Sequence, residues 1–250
     1  MTLVSHRHEF VFLKTRKTGG SSFEMLLEPF CAPPGHEVVH HTKGRVSADG
    51  IIGVRAPASH IARLRSTGEL PTTDVRNKRG ETIAVEWRSH MPARKVRQGI
   101  GVHAWRQYLR VTAVRNPFTR AISLFFFKMS RRMIPSVPLN TTELREAFRG
   151  FVSSGSFETD YQITHIDDTW VCHEVLRLEH RDRDILRLAA RLGISLDPSA
   201  LPHVKNLRPD REGLPVRDLF DDRSTESVRE RCRWMFDEVG YSPDPDDAQF

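Results

Sequence analysis

The sequence predicts an α/β fold in which one domain over residues 1–250 holds a mainly parallel central sheet flanked by helices. Three observations support this expectation. Short apolar runs alternate with segments of helical spacing, which is typical of βαβ units. Two of these runs, FVFLK and YLRVTAV, each lead into a turn and then a helical segment. The chain of 250 residues suits one domain with a sizeable core, and it contains no internal repeat or convincing linker.

The first half of the chain contains four predicted strands and three predicted helices. Prolines after residue 28 end the helix that follows the first loop, and Pro92 suits the first turn of a later helix. Residues 68–80 are polar and turn-rich, so we expect a loop there. The predicted strands cover residues 9–14, 38–41, 51–55 and 82–87, and the predicted helices cover residues 21–28, 58–66 and 92–99.

The second half begins with a strand over residues 108–114. Asn116 is a good helix cap and Pro117 suits a first turn, so a helix should follow and run to Arg131. Two prolines mark residues 133–139 as a loop. The remaining expectations are a helix over 140–152 starting at Asn140, a strand over 175–178, a helix over 182–192 ended by Gly193, and a final helix over 225–239 ended by Gly240.

Charge and cysteine content narrow the class of protein. The 38 Lys and Arg residues outnumber the 32 Asp and Glu residues, which gives a net charge of +6 and favours anionic ligands. The three cysteines are far apart and lack C-x-x-C spacing, so neither a zinc site nor a disulfide framework is expected. The N-terminus has no apolar signal core, and no apolar run approaches the roughly 20 residues of a membrane span. We therefore expect a cytoplasmic protein without a transmembrane segment.

The first loop, TRKTGGSS at residues 15–22, has the composition of an anion site, and we call it the phosphate loop. A glycine-rich turn between a strand and a helix N-terminus directs backbone N–H groups at a ligand. The lysine precedes the glycines, so the loop lacks the G-K-[ST] order of an ATP-binding Walker A motif. A P-loop-like fold with a different phosphate ligand is therefore predicted. Its candidate ligands are Lys17, Thr18, Gly19, Gly20, Ser21 and Ser22.

The second loop, VRNPFTRAIS at residues 114–123, is the other candidate anion site, and we call it the arginine segment. Arg115 stands at the predicted strand end, and Ser123 follows eight positions later on the predicted helix. An arginine fork is well suited to a phosphate group. Two such segments suggest a ligand that carries two separated phosphate-like groups.

Both segments resemble one family. The order K-T-G-G-S-S resembles the 5′-phosphosulfate loop of sulfotransferases that use 3′-phosphoadenosine 5′-phosphosulfate (PAPS), and R-N-P-F-T-R-A-I-S resembles their 3′-phosphate site. Further segments, including SHMPARKVRQ, EVLRLEHRDRDILRLAARLGI and VRERCRWMFDEVGYSP, are similar to bacterial members, among them carbohydrate and heparan-type enzymes. Many members have proline where this chain has Arg16. The stretch around residues 67–90 is where members vary most, so it is expected on the acceptor side.

The resemblance implies that PAPS donates a sulfuryl group to a hydroxyl of a carbohydrate or small-molecule acceptor. Lys17 would then stabilise charge at the leaving phosphate, while Arg115 and Ser123 would hold the 3′-phosphate. Lys205, in a late loop with Arg208, would clamp the nucleotide. No catalytic metal is expected, because the transferred sulfuryl carries less charge than a phosphoryl group.

His90 is the first candidate for the general base, because it lies where related enzymes place a histidine near the acceptor. Other side chains compete for this role. Arg120 shares a helix face with Ser123, and either a nucleotide contact or an ion pair would explain it. The competing bases are His40, His41, His60, His103, Glu86 and Glu179.

Two other functions fit parts of the sequence. A nucleotide kinase or hydrolase with a degenerate phosphate loop would bind ATP with magnesium and show no preference for a 3′-phosphate. A basic, non-catalytic nucleic-acid binder would lose affinity steeply with salt. The four tryptophans are too scattered for a base-stacking face, so we do not expect nucleic acid as a partner.

Overall fold

The computed structural model describes residues 2–77, 79–138, 142–155, 157, 159–202 and 216–248. Lys205, Arg208 and Asn140 lie outside the described residues. The strands are β1 (Leu3–Ser5), β2 (Phe10–Leu13), β3 (Arg45–Val46), β4 (Gly50–Ile52), β5 (Thr72–Arg76), β6 (Thr82–Glu86), β7 (Leu109–Val114), β8 (His165–Ile166), β9 (Thr169–Trp170) and β10 (Glu174–Arg177). The helices are α1 (Gly20–Leu27), α2 (Ala58–Ser66), α3 (Ala93–Gln107), α4 (Pro117–Ser130), α5 (Thr142–Ser153), α6 (Tyr161–Thr164), α7 (Arg181–Leu192), α8 (Asp222–Arg231) and α9 (Arg233–Asp237).

The chain forms two compact units. The first comprises Met1–Val114, Asp160–Leu176 and His180–Val204, and the second comprises Arg115–Thr159, Arg177–Glu179 and Lys205–Phe250. Among the residues that the structure describes, no helix has the length and apolar character needed to cross a bilayer.

The main sheet is mixed, so the expectation of a mainly parallel sheet was wrong. Its strand order is β10-β7-β2-β1-β4-β3. The neighbours β2 and β7 are parallel, whereas β1 is antiparallel to both β2 and β4, and β3 is antiparallel to β4. The sequence prediction missed β1, which joins β2 through the short turn at residues 6–9. A connection of that length permits only an antiparallel pair.

Alternate residues of β2 face the two opposite sides of this sheet, as the two-residue period of a strand requires. Phe10 and Phe12 belong to a buried cluster that includes Phe23 of α1 and Ile185 of α7. Val11 and Leu13 belong to a second buried cluster, together with Val85, Trp87, Val96 and Trp105 from β6, its following loop and α3. The end of β2, from which the phosphate loop begins, is therefore fixed by packing on both faces of the sheet.

Several predicted elements are confirmed. The helix expected over residues 58–66 is α2, and the helix expected after Asn116 is α4. The Asn116 side chain accepts hydrogen bonds from the backbone N–H groups of Phe118 and Thr119, as a helix cap should. Gly193 ends α7 in the left-handed conformation (φ 63°).

Other predicted elements were wrong. Residues 38–41 form no strand, and the predicted loop at residues 68–80 contains β5, which pairs with β6 in a separate hairpin. The side chains of β5 are mostly polar, so the sequence pattern predicted a loop and not a strand. The helix predicted over residues 92–99 continues as α3 to Gln107, with a kink at Gly101 (φ 83°). The final helix, predicted over residues 225–239, is split into α8 and α9 at Cys232.

Aromatic side chains fill the interior of the second unit. Phe118 and Phe125 of α4 are buried, and each makes an edge-to-face contact with another ring. Phe148 of α5 contacts Phe125 on one side and Phe220 on the other. Edge-to-face pairs of this kind add to the free energy gained from burying the rings. The N-terminal half of α4, which holds residues 117–123 of the arginine segment, is therefore fixed by aromatic packing.

Candidate functional site

The phosphate loop turns sharply between β2 and α1. Lys17 (φ 64°) and Gly19 (φ 70°) both adopt the left-handed conformation, and Gly19 caps α1. The cap closes through a hydrogen bond from the Ser22 N–H to the Gly19 carbonyl (2.9 Å), and no side chain caps the helix. A helix that begins without a side-chain cap keeps N–H groups of its first turn for a ligand. The loop thus has the form of an anion cradle.

Side chains of the loop tie it to the first unit. Thr15 Oγ1 donates to the carbonyl of Ala113 at the end of β7, and it lies 3.1 Å from Thr18 Oγ1. Arg16 contacts the buried carboxylate of Asp160 through both its backbone N–H and its guanidinium. Residues on both sides of Lys17 are therefore fixed.

A buried charge network lies directly behind the loop. Lys14 Nζ donates to Glu24 Oε2 (2.6 Å) and to Ser21 Oγ (3.1 Å). Arg55 joins the network through Glu28 Oε2 (2.7 Å) and approaches Glu24 Oε2 at 3.8 Å. The side chains of Glu24 and Glu28, one turn apart on and just after α1, have no exposed surface. Because charges buried together must be paired, this network fixes the orientation of α1 behind its own N-terminus.

His90 contacts the strand end from which the phosphate loop begins. Its Nδ1 lies 3.1 Å from the Lys14 carbonyl, three residues before Lys17. A carbonyl only accepts, so Nδ1 carries the proton and Nε2 is left unprotonated in the neutral ring. Burial, with the positive charges of Lys14 and Arg16, holds the pKa of His90 well below its usual range. Among the described residues Nε2 has no hydrogen-bond partner, and the residue itself is left-handed (φ 58°).

The competing bases have other partners or open surroundings. Glu86 forms a two-bond ion pair with Arg65 (2.6 and 2.7 Å), and that pairing lowers its pKa. Glu179 accepts from the Asn116 N–H and from the Tyr241 hydroxyl, each at 2.8 Å. The remaining candidates are exposed or half-buried histidines, namely His40, His41, His60 and His103. Of all these candidate bases, only His90 forms a hydrogen bond with residues 14–22 in the described part of the chain.

The arginine segment belongs to the second unit from residue 115 onward. Arg115 is half-buried, and its Nε donates to Thr119 Oγ1 (2.9 Å). The Asn116 N–H is held by Glu179, which fixes the turn between strand and helix. Ser123 is 8% exposed, and its hydroxyl makes no hydrogen bond within the described residues. Arg120 is fully buried on the same helix.

The structure therefore brings Lys17, its loop residues and His90 into the first unit, and in the second it places Arg115 just before α4 and Ser123 on α4. Sequence analysis missed the supporting groups. Asp160 is 144 residues from Arg16, and no local pattern links the two. Lys14, Glu24 and Arg55 carried a detectable signal, since charged residues rarely interrupt an apolar strand end or a buried helix face without a partner.

The chemistry of these groups suits an anionic ligand. Residues 15–22 contain one lysine, one arginine, four hydroxyl side chains and no acid. The arginine segment likewise offers cations and hydroxyl groups. In the described part of the chain, no three His, Cys, Asp or Glu side chains come together as a potential metal site.

Comparison with known proteins identifies the family. No protein of curated function and no solved structure matches the chain significantly. A sequence profile described as "Sulfotransferase family" matches residues 1–180, a span that includes the phosphate loop, His90 and the arginine segment. Because this match covers more than two thirds of the 250 residues, the chain belongs to the sulfotransferase family.

Proposed function

We propose that the protein transfers a sulfuryl group from PAPS to a hydroxyl of a carbohydrate or small-molecule acceptor. The observation that carries this proposal is the contact between His90 and the backbone of Lys14. It gives an imidazole with an unprotonated Nε2 a fixed position at the start of the loop that bears Lys17. Family membership supports sulfuryl transfer in general, and the finer assignment of donor and acceptor rests on these residues.

The two segments divide the donor between them in this proposal. The N–H groups at the start of α1, with the Ser21 and Ser22 hydroxyls, bind the 5′-phosphosulfate. Gly19 supplies the left-handed turn that lets the backbone approach it. Arg115 binds the 3′-phosphate through its guanidinium, and Ser123 adds a hydroxyl from the second turn of α4. Lys205, outside the described residues, is a further ligand from the late loop.

Bound donor supplies an activated sulfuryl group, which passes to the acceptor oxygen while adenosine 3′,5′-bisphosphate leaves. His90 Nε2 takes the proton of the acceptor hydroxyl, and Nδ1 remains bonded to the Lys14 carbonyl throughout. Lys17 stabilises the negative charge that grows on the bridging oxygen of the leaving group. The left-handed backbone of Lys17 sets the direction of its side chain before the donor arrives, so less reorganisation is needed during transfer.

The decisive experiment is a thermal-shift and calorimetric comparison of adenosine 3′,5′-bisphosphate, AMP and ATP with magnesium. The bisphosphate at a hundred times its Kd should stabilise the fold by about 2.7 kcal/mol. AMP lacks the 3′-phosphate and should bind about ten- to a hundredfold more weakly, in line with one charge-assisted contact. Arg115→Ala should reduce bisphosphate affinity to that of AMP and leave AMP binding unchanged.

The other outcomes identify other functions. Equal responses to bisphosphate and AMP would contradict the role of Arg115. A preference for ATP that depends on magnesium would indicate a kinase or hydrolase. Binding of oligonucleotides that weakens steeply with salt, and that survives Lys17→Ala, would indicate a nucleic-acid binder.

A further inference from the structure

We propose that Asp160 is a positioning residue for the phosphate loop, acting through Arg16, the residue immediately before Lys17. We call Arg16 and Asp160 together the loop clamp. The consequence for ligand affinity rests on the proposed function, whereas the consequence for loop order does not. Asp160 lies at the start of α6, within the first unit.

The clamp holds the loop by its backbone and by a side chain at once. The Arg16 N–H donates to Asp160 Oδ2 (2.6 Å), and Arg16 Nη1 pairs with Asp160 Oδ1. One carboxylate thereby fixes two atoms of the same residue, at the backbone and at the far end of the side chain. A side-chain ion pair alone would leave the main chain free to rotate, but the N–H bond fixes the peptide plane between Thr15 and Arg16, one residue before Lys17.

Burial makes this contact strong. The Asp160 side chain has no exposed surface, and that of Arg16 is 36% exposed. A buried carboxylate needs partners for both oxygens, and charge-assisted hydrogen bonds are roughly twice as strong as neutral ones. Separating the buried Asp160 carboxylate from Arg16 would cost desolvation free energy, and this cost stabilises the clamp as much as the attraction between the two charges does.

The conformation of Asp160 is unusual for a helix cap. Aspartate at this position commonly accepts a hydrogen bond from its own helix, yet Asp160 makes no such bond and adopts a left-handed backbone (φ 60°). Left-handed residues other than glycine are uncommon, and they persist where surrounding contacts hold them. Lys17, His90 and Asp160 all share this conformation. The Asp160 carboxylate bonds to Arg16 of the phosphate loop and does not cap α6.

The clamp also restrains the backbone of Arg16, a restraint that a proline at this position would supply by different means. Proline fixes φ near −65° and has no N–H. Arg16 has ordinary backbone freedom, and the bond from its N–H to Asp160 removes that freedom by a contact from elsewhere in the chain. The two solutions are alternatives, because a proline at this position offers Asp160 no donor at all.

The test measures loop order and ligand affinity separately in the full chain. Asp160→Ala removes both acceptors, and Asp160→Asn keeps the volume but loses the charge and one acceptor. Hydrogen exchange of the peptide covering residues 14–22 should become about tenfold faster or more in Asp160→Ala, and less so in Asp160→Asn. Calorimetry should show the Kd for adenosine 3′,5′-bisphosphate rising about ten- to a hundredfold.

Variants of Arg16 separate its two donors. Arg16→Ala keeps the N–H and loses only the guanidinium, so its effect should be smaller than that of Asp160→Ala. Arg16→Pro removes both donors, so adding Asp160→Ala in that background should lower affinity much less than it does in the unmodified protein. A matched control is Glu174→Ala, which removes another largely covered carboxylate of the first unit with two arginine partners, Arg187 and Arg191. It should lower stability without changing loop exchange or ligand Kd.

Each result decides one question. Unchanged exchange of residues 14–22 in Asp160→Ala would overturn the clamp, as would an unchanged Kd for the bisphosphate. An equal loss of affinity in Glu174→Ala would also overturn it, because the effect would then be general destabilisation. Failure of the unmodified protein to bind the bisphosphate would overturn the proposed function instead, and the exchange data would still decide the clamp.

Discussion

His90 shows how one contact sets the chemistry of a residue. The bond from Nδ1 to the Lys14 carbonyl fixes the ring and selects the tautomer, while burial and the neighbouring positive charges disfavour the imidazolium form. The lowered pKa keeps Nε2 unprotonated at mildly acidic pH, and it also makes the ring a weaker base than an exposed histidine. The general role could be expected from resemblance, but the tautomer depends on a residue 76 positions away, which no local sequence pattern specifies.

His90 should therefore remain neutral as the pH falls through 6.5. An unfolded histidine gains its proton near pH 6.5, whereas the folded ring does so only at lower pH, so the unfolded state binds more protons in that range. The free energy of unfolding should fall as the pH drops below about 6.5. In His90→Gln this part of the pH dependence should disappear, as measured by urea denaturation. Ring ¹⁵N spectra should show the Nδ1–H tautomer at pH 7, and an Nε2–H tautomer would contradict the assignment.

Lys17 combines a charged side chain with a left-handed backbone, a conformation that costs free energy in residues other than glycine. Lys17→Ala and Lys17→Gly should both lower turnover by about 10²–10³, because each removes the charge that the proposed mechanism places at the leaving phosphate. Only glycine adopts the left-handed conformation without cost, so Lys17→Gly should be about 1 kcal/mol more stable than Lys17→Ala. Urea denaturation and steady-state assays of the pair separate these effects. Equal stabilities would show that the turn is not strained.

At the scale of elements, α1 is fixed less by its own sequence than by the charges beneath it. The eight-residue helix has no side-chain cap and no acid in its first turn. Its buried Glu24 is held by Lys14, while Arg55 pairs with Glu28 just beyond its end. Gly20 eases close packing, because an added Cβ would lie 3.0 Å from Lys14 Cγ and the lysine stem would have to shift slightly. The glycine thus leaves room for the lysine that pairs with Glu24.

Glu24→Ala should destabilise the protein by about 3–5 kcal/mol, since it leaves the buried ammonium of Lys14 without its carboxylate. Glu86→Ala is the matched control, because Glu86 pairs with Arg65 at a largely exposed site. There the expected cost is about 0–1 kcal/mol. Urea denaturation of both variants measures the difference. Similar costs at the two sites would mean that water reaches Glu24 readily.

Elements that follow one clear physical signal could be predicted from the sequence. The cap at Asn116 and the left-handed glycine at Gly193 are such signals, and both are observed. Strand β1 has three residues and no glycine in the turn after it, so local sequence gives no sign of a hairpin. Strand β5 has exposed residues on one face and only half-buried residues on the other, so its mostly polar sequence predicts a loop. The partners of the phosphate loop are long-range, and so they could not be predicted.

At the scale of the whole molecule, the candidate ligands lie in two compact units that alternate along the chain. Strand β7 belongs to the first unit, and the next residue, Arg115, opens the second. The proposed roles of Lys17 and Arg115 therefore fall in different units, and each role can be tested by itself.

Hydrogen exchange with bound nucleotide should reveal this division. Adenosine 3′,5′-bisphosphate at saturation should slow exchange of peptides from residues 14–22 and from residues 115–123. AMP at its own saturation should protect the first peptide and leave the second unchanged. Lys17→Ala and Arg115→Ala each remove protection chiefly from their own peptide. Protection of both peptides by AMP would contradict the division of roles.

The attachments of the phosphate loop also determine when it can form during synthesis. Each anchor of the loop lies far along the sequence from the residue that it contacts. The separation is 76 residues from Lys14 to His90, 98 residues from Thr15 to Ala113, and 144 residues from Arg16 to Asp160. A nascent chain therefore carries strand β2 out of the ribosome long before the loop beside it has all its anchors. Nucleotide-binding competence should arise late in translation, only after residue 160 has left the exit tunnel, and chains released earlier should lack it.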